Sequence, residues 1–209
     1  MIGNLSAKDV LLKFYDEDSD LFKLLWHHSC QVAEMALDIA SRFPEADQDF
    51  VYDASLLHDV GIIKTHAPSI FCNGDEPYIR HGILGAEMLR GIDASMELYA
   101  RVCERHTGAG ISAAEIERDN LPLPHRDMIP VTLEEKIVCY ADKFFSKSKT
   151  DTVKTVDSIR EDLAKFGEDQ LARFDAMNAL LNHCRQHCYK SEPPAIPGLQ
   201  AALFLTICL

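Results

Sequence analysis

Residues 54–66 read ASLLHDVGIIKTH. Small and apolar residues run into His58 and Asp59 side by side, and Gly61 and two isoleucines follow. The segment has the composition of a protein core, yet it carries an imidazole and a carboxylate. An ionised carboxylate buried without a partner costs several kcal/mol. The rest of the chain must therefore bring a compensating charge to this pair.

Outward from this stretch, apolar residues recur at helical spacing, with no convincing alternation of the strand type. The pattern predicts an all-α fold with helices near 8–16, 21–42, 47–59, 81–91, 95–106, 132–148, 152–165 and 169–190. Asp47 is placed to cap the helix that leads to His58, and Thr132-Leu-Glu-Glu135 has capping-box spacing. Pro44, Pro68, Pro77, Pro122, Pro124 and Pro130 all fall between these helices. Two long connections remain, 60–80 and 107–131. Gly61 reads as the point where the chain turns out into the first. Connections this long in a compact domain are often functional, so either is a candidate cover for a site.

Several helices repeat the opening anomaly. His28 lies on the stripe Leu25, Val32 and Ile39. His58 shares a face with Val51, Ala54 and Ser55. His81 begins the face Leu84, Gly85 and Met88. His106 ends Met96, Ala100 and Cys103. Asp142 lies among Val138, Ala141 and Phe145. One such histidine is ordinarily a satisfied core residue; five helices each aiming a histidine or aspartate inward are another matter. A divalent cation uses neutral imidazoles and ionised carboxylates together. Four His and two Asp could hold two ions with one carboxylate bridging, each donor on its own helix or near a helix end.

The order His28…His58-Asp59…Asp142 resembles the H…HD…D signature of the HD-domain superfamily of metal-dependent phosphohydrolases. The resemblance runs from about Leu25 to Lys147. HHSCQVAEMA is similar to that family's first helix, LLHDVGI to its HD helix, and EKIVCYADKFFS to the helix of its last Asp. HGILGAEMLR and ERHTGAGIS resemble members with two further histidines, here His81 and His106. The resemblance implies a helical bundle in which His28, His58, Asp59 and Asp142 hold one metal ion, and Asp59, His81 and His106 a second. The ions would be Fe, Mn, Co, Ni or Zn, with Mg also admitted. The implied reaction is hydrolysis of a phosphate ester of a small molecule, such as a nucleotide, by metal-activated water.

Five cations stand near these positions as candidates to bind phosphate: Lys64, His66, Arg80, Arg105 and Lys143. Lys64 is also a catalytic candidate beside Asp59, although many family members carry the lysine two residues earlier, where this chain has Ile62. Asp75 and Glu76 are weaker candidates for a general acid. His27 falls off the apolar stripe. HCRQHC, with His183, Cys184, His187 and Cys188, has metal-like spacing but no matching further ligands. The same six donors are also similar to those of mixed-valent di-iron oxygenases of the superfamily, so oxygenation is the alternative chemistry. A non-catalytic, metal-stabilised sensing or docking module is the alternative class.

The bulk properties narrow the partners. The chain has 209 residues and a formal net charge of −12. That balance disfavours nucleic-acid polymers and anionic membranes, which attract basic surfaces. Seven cysteines, an odd number with no CxxC pair, read as reduced thiols of a cytoplasmic protein. The start, MIGNLSAKDVLLKF, lacks a basic region followed by an apolar run. One domain is expected over 1–190. Over 191–209 a Pro-rich link, SEPPAIPG, leads to an apolar end, LQAALFLTICL, expected to pack on this chain or in a homo-oligomer.

Overall fold

The computed structural model describes residues 5–148 and 152–188, without the side chains of 183–188. Among these residues it is helical: α1 (Ala7–Leu11), α2 (Asp20–Ala40), α3 (Gln48–Leu57), α4 (His81–Arg90), α5 (Glu97–Arg105), α6 (Ala113–Arg118), α7 (Leu133–Asp142), α8 (Val156–Ala164) and α9 (Glu168–Cys188). The expected caps are present. The Asp47 carboxylate accepts from Phe50 N–H, and Thr132 and Glu135 close a capping box at the start of α7. HCRQHC falls at the end of α9, where side chains lie outside the described residues, as does the whole of 191–209.

The helices bury their stripes in two main clusters. Leu25, Leu57, Val60, Ile62, Leu89 and Cys103 belong to one. Val32, Val51, Val102, Val138, Ala141 and Phe174 belong to the other. α2 packs on α3 and α7, and α4 on α5 and on the 3-10 turn Val60–Lys64. Cys30, Cys72, Cys103 and Cys139 are in no disulfide. No helix among the described residues is long and apolar enough to cross a membrane.

Four local expectations change. α3 stops at Leu57, so Asp59 leaves the helix with φ −105° and ψ 11°, the sparsely populated bridge region where many active-site residues lie. Gly61 does not turn the chain outward. It presses the 60–64 turn against α4, where a Cβ would stand 2.1 Å from His81 O and 2.3 Å from Gly85 N. α7 ends at Asp142 and not near 148, and the chain unwinds through i→i−3 bonds from Lys143, Phe144 and Phe145. The connections contain structure of their own. The first holds a small antiparallel pair, β1 (His66–Ala67) with β2 (Cys72–Asn73); the second holds α6, whose Ser112 and Glu115 form a capping box.

Candidate metal centre

Helix ends position most of the donors. His58 directly follows α3, His81 opens α4, His106 directly follows α5 and Asp142 closes α7, while His28 comes from the middle of α2. All five are buried, and so is Asp59. Their ligand atoms form two groups, either of which could hold a metal ion: His28, His58, Asp59 and Asp142, and Asp59, His81 and His106.

Asp59 joins the groups through its two oxygens. Oδ2 lies 3.3 Å from His28 Nε2 and 3.0 Å from His58 Nε2. Asp142 Oδ1 closes this side at 3.0 Å from His28 Nε2 and 3.4 Å from His58 Nε2. Oδ1 of Asp59 faces the other way, 3.5 Å from His81 Nε2 and 3.4 Å from His106 Nε2.

The tautomers fit a cation. His58, His81 and His106 each donate Nδ1–H to a carbonyl oxygen three residues back, those of Ser55, Tyr78 and Cys103, at 2.7 Å. A carbonyl oxygen only accepts, so the hydrogen belongs on Nδ1 and the Nε2 lone pair is left bare. His81 and His106 then point two bare Nε2 atoms at each other 3.0 Å apart, with Asp59 Oδ1 alongside. Lone pairs cannot bond to one another, whereas a cation among these three atoms satisfies all of them. Burial, with His106 alongside, pushes His81 down to about 3, and burial also lowers His106, so both rings are neutral donors at pH 7. In the other group burial pushes His58 down, but the Asp59 and Asp142 carboxylates outweigh it and hold His58 up at about 9. Their field favours positive charge at His58 Nε2, which is the charge a metal ion brings.

Of the five cations expected to bind phosphate, only Lys143 reaches the cluster. Its Nζ lies 2.7 Å from Asp142 Oδ2 and donates to His106 O at 3.0 Å. Lys64 and His66 are exposed, with no hydrogen bond or ion pair to the six residues. Arg80 pairs with Glu76 at 2.9 Å. Arg105 Nη1 donates to both Glu135 oxygens at 2.8 Å and so ties the end of α5 to the start of α7. Asp75 and His27 are exposed.

Two residues enter that the sequence reading passed over. Lys147 Nζ lies 2.5 Å from Asp59 Oδ2. Extending α7 to 148 turns Lys147 away from Asp142; the early end of the helix is what returns it to the cluster. Tyr78 stacks on His81 with ring centroids 4.8 Å apart. Burial pushes the Tyr78 phenol up to about 12, so it keeps its proton at neutral pH. Both line a cavity of about 360 Å³ together with Ile70, Phe145, Ser146 and Ser148. A larger cavity, about 600 Å³, is lined by Thr107, Gly108 and Phe166 and by none of the six cluster residues. None of the six lines the smaller one either; it adjoins the cluster through Lys147 at Asp59 and Tyr78 at His81.

The model of the HD domain family matches residues 25–146, more than half of the chain and all six cluster residues. The chain belongs to the HD domain family. It is 42% identical over 118 residues to an uncharacterized protein of Methanocaldococcus jannaschii, covering 56% of this chain and 60% of that protein. It is 36% identical over 126 residues to a tRNA (cytidine(56)-2'-O)-methyltransferase of Picrophilus torridus, covering 60% of this chain and 33% of the relative. The methyltransferase of the same name from Thermoplasma volcanium is 34% identical over 143 residues, covering 68% and 36%. This HD domain chain thus spans three fifths of the first relative and about a third of the other two. No solved structure matches it significantly.

Proposed function

We propose that this HD domain is a metal-dependent phosphohydrolase that cleaves a phosphate ester of a small molecule, with nucleotides among the candidate substrates. The observation that carries the reading is Asp59: one carboxylate presents its two oxygens to two separate pairs of imidazole nitrogens, those of His28 and His58 and those of His81 and His106. His28, His58, Asp59 and Asp142 would hold the first divalent ion, and Asp59, His81 and His106 the second. Imidazole with carboxylate suits Fe, Mn, Co, Ni or Zn better than Mg. Bound there, such ions lower the pKa of a water and polarise phosphoryl oxygens.

The chain's own groups prepare the site. The three Nδ1–H bonds to backbone carbonyls fix the rings of His58, His81 and His106 with Nε2 inward. Lys143 grips Asp142 by Oδ2, which leaves Oδ1 turned to His28 and His58. Ile70 and Phe145 add apolar surface to the lining of the adjoining cavity. The methyltransferase names belong to proteins nearly three times as long as the stretch that matches. Methyl transfer is no part of this reading.

Elemental analysis of the native protein, paired with a screen of phosphoesters and nucleotides in Mn, Fe, Co, Ni and Mg, tests the proposal. The expected result is bound transition metal and metal-dependent release of phosphate. A mixed-valent iron signal by EPR, with O2 consumed and no phosphate released, would replace hydrolysis with oxygenation. A protein with no metal and no turnover would be a docking module.

A further inference from the structure

The two lysines at the cluster hold their carboxylates in different ways. Lys143 takes Asp142 by Oδ2, while Oδ1 of that residue faces His28 and His58. Lys147 takes Asp59 by Oδ2, the same oxygen that faces His28 and His58. A metal ion among His28, His58, Asp59 and Asp142 is therefore compatible with Lys143 and in direct competition with Lys147. Two cations held against one carboxylate oxygen in a buried site repel strongly.

Lys147 has somewhere to go. Its ammonium ends a flexible four-carbon stem, and the residue lines the cavity of about 360 Å³. That cavity is also lined by the hydroxyl residues Ser69, Tyr78, Ser146 and Ser148 and by Lys154, which pairs with Asp162 at 3.0 Å, and among the described residues no carboxylate lines it. In a chain with a net charge of −12, a lining that gathers two lysines and four hydroxyl groups is suited to an anion once Lys147 turns from Asp59.

We propose that Lys147 is a displaceable counter-ion: without metal its ammonium occupies the Asp59 oxygen that the first ion needs, and metal loading sends it into the adjoining cavity, where it receives the anionic phosphoryl group of the substrate. The second half of this inference rests on the hydrolase reading; the first does not. Lys147 is thus a positioning residue for the metal and a binding residue for the substrate. It gives the buried Asp59 a partner while the protein folds, before any ion arrives.

The test uses the full chain, stripped of metal, as wild type, Lys147→Met, Lys147→Gln and Lys147→Arg. Calorimetric titration with Mn(II) should show on the order of tenfold tighter binding in the two neutral variants. Lys147→Arg should bind no more tightly than wild type. Without metal the neutral variants should melt about 5 °C or more below wild type, because Asp59 has lost its partner. Saturating Mn(II) should close that gap. Inorganic phosphate should bind the Mn-loaded neutral variants about tenfold more weakly than wild type, with Lys147→Arg near wild type. Unchanged Mn(II) affinity, or a melting gap that persists with metal, would make Lys147 a structural prop and overturn the counter-ion. Unchanged phosphate affinity would overturn its role in the cavity. None of these readouts needs turnover, so a protein that passes them yet cleaves no ester would remove only the hydrolase reading.

Discussion

The two halves of the cluster share one carboxylate and differ in everything around it. The half formed by α2, α3 and α7 has Asp59 Oδ2, Asp142 Oδ1 and two lysines in contact. The half formed by α4 and α5 has Asp59 Oδ1 and two imidazoles, with no lysine at these donor atoms; Lys143 reaches only the backbone oxygen of His106. The first half brings its own compensating charge; the second stays buried by remaining neutral, with His81 pushed down to about 3 by burial and His106. The difference teaches that the halves need not fill together. The first half would hold an ion with two carboxylates and two imidazoles, and the second mainly through imidazole.

Asp59→Asn breaks both halves at once and has the largest expected effect. Metal binding at both positions and turnover should fall to background, read by elemental analysis and phosphate release. Retention of two bound ions would mean that Asp59 does not join the groups. Gly61→Ala comes next. Its Cβ would meet the α4 backbone at His81 and Gly85. We expect a loss of about 3 kcal/mol, measured by denaturant unfolding. Because α4 starts at His81, metal affinity should drop more in the second half than in the first. Equal losses in the two halves would show that the contact between the turn and α4 does not set the distance from Asp59 to His81.

The contrast between the halves also marks what the sequence disclosed. Each donor was visible because a histidine or aspartate interrupts an apolar stripe, and the stripes of α2, α4 and α5 are long enough to define a face. The helix caps at Asp47 and Thr132 were visible for the same local reason. Lys147 was hidden because nothing in EKIVCYADKFFSKS signals that α7 ends at Asp142; past the stop, Phe144 and Phe145 pack against the second core cluster. Gly61 looked like a hinge because a close backbone approach is a tertiary fact. The helix α6 was legible: Ser112 and Glu115 have the same capping-box spacing as Thr132 and Glu135, but the prolines that follow disguised the segment as loop. For Arg80 and Arg105 the sequence could not show that Glu76 and Glu135 already hold them.

Single-ligand variants sharpen the comparison with a smaller effect. His81→Gln should lower bound metal from two ions to one and leave the first association step close to wild type. Asp142→Asn should weaken the first step on the order of a hundredfold, since it removes a charged donor. Competitive titration with a chromophoric chelator separates the steps. If the two substitutions weaken the same step, the halves act as a single site.

The smallest effect concerns the support of the second half, away from the donors. Glu115 on α6 is buried and accepts from Arg173 at 2.6 Å, from Ser112 N and Oγ at 2.8 and 2.7 Å, and from Gln170 at 3.0 Å. Gln170 in turn holds Ala109 N and Gly110 O at 2.7 Å, just past His106. Burial raises the Glu115 carboxyl, but these donors outweigh it and leave it below its ordinary value. A carboxyl lowered by folding stabilises the protein above its unfolded pKa, about 4.3, and loses that contribution as pH falls through the folded value. Glu115→Gln should therefore cost about 2 kcal/mol at pH 7, and the difference from wild type should shrink as pH falls below about 4. The acidic donors titrate in the same window but are common to both proteins, so the difference isolates Glu115. A gap that stays constant down to pH 3 would show that Glu115 supports the 107–110 segment by packing and not by charge, which would leave Arg105 with Glu135 as the ion pair that steadies the second half.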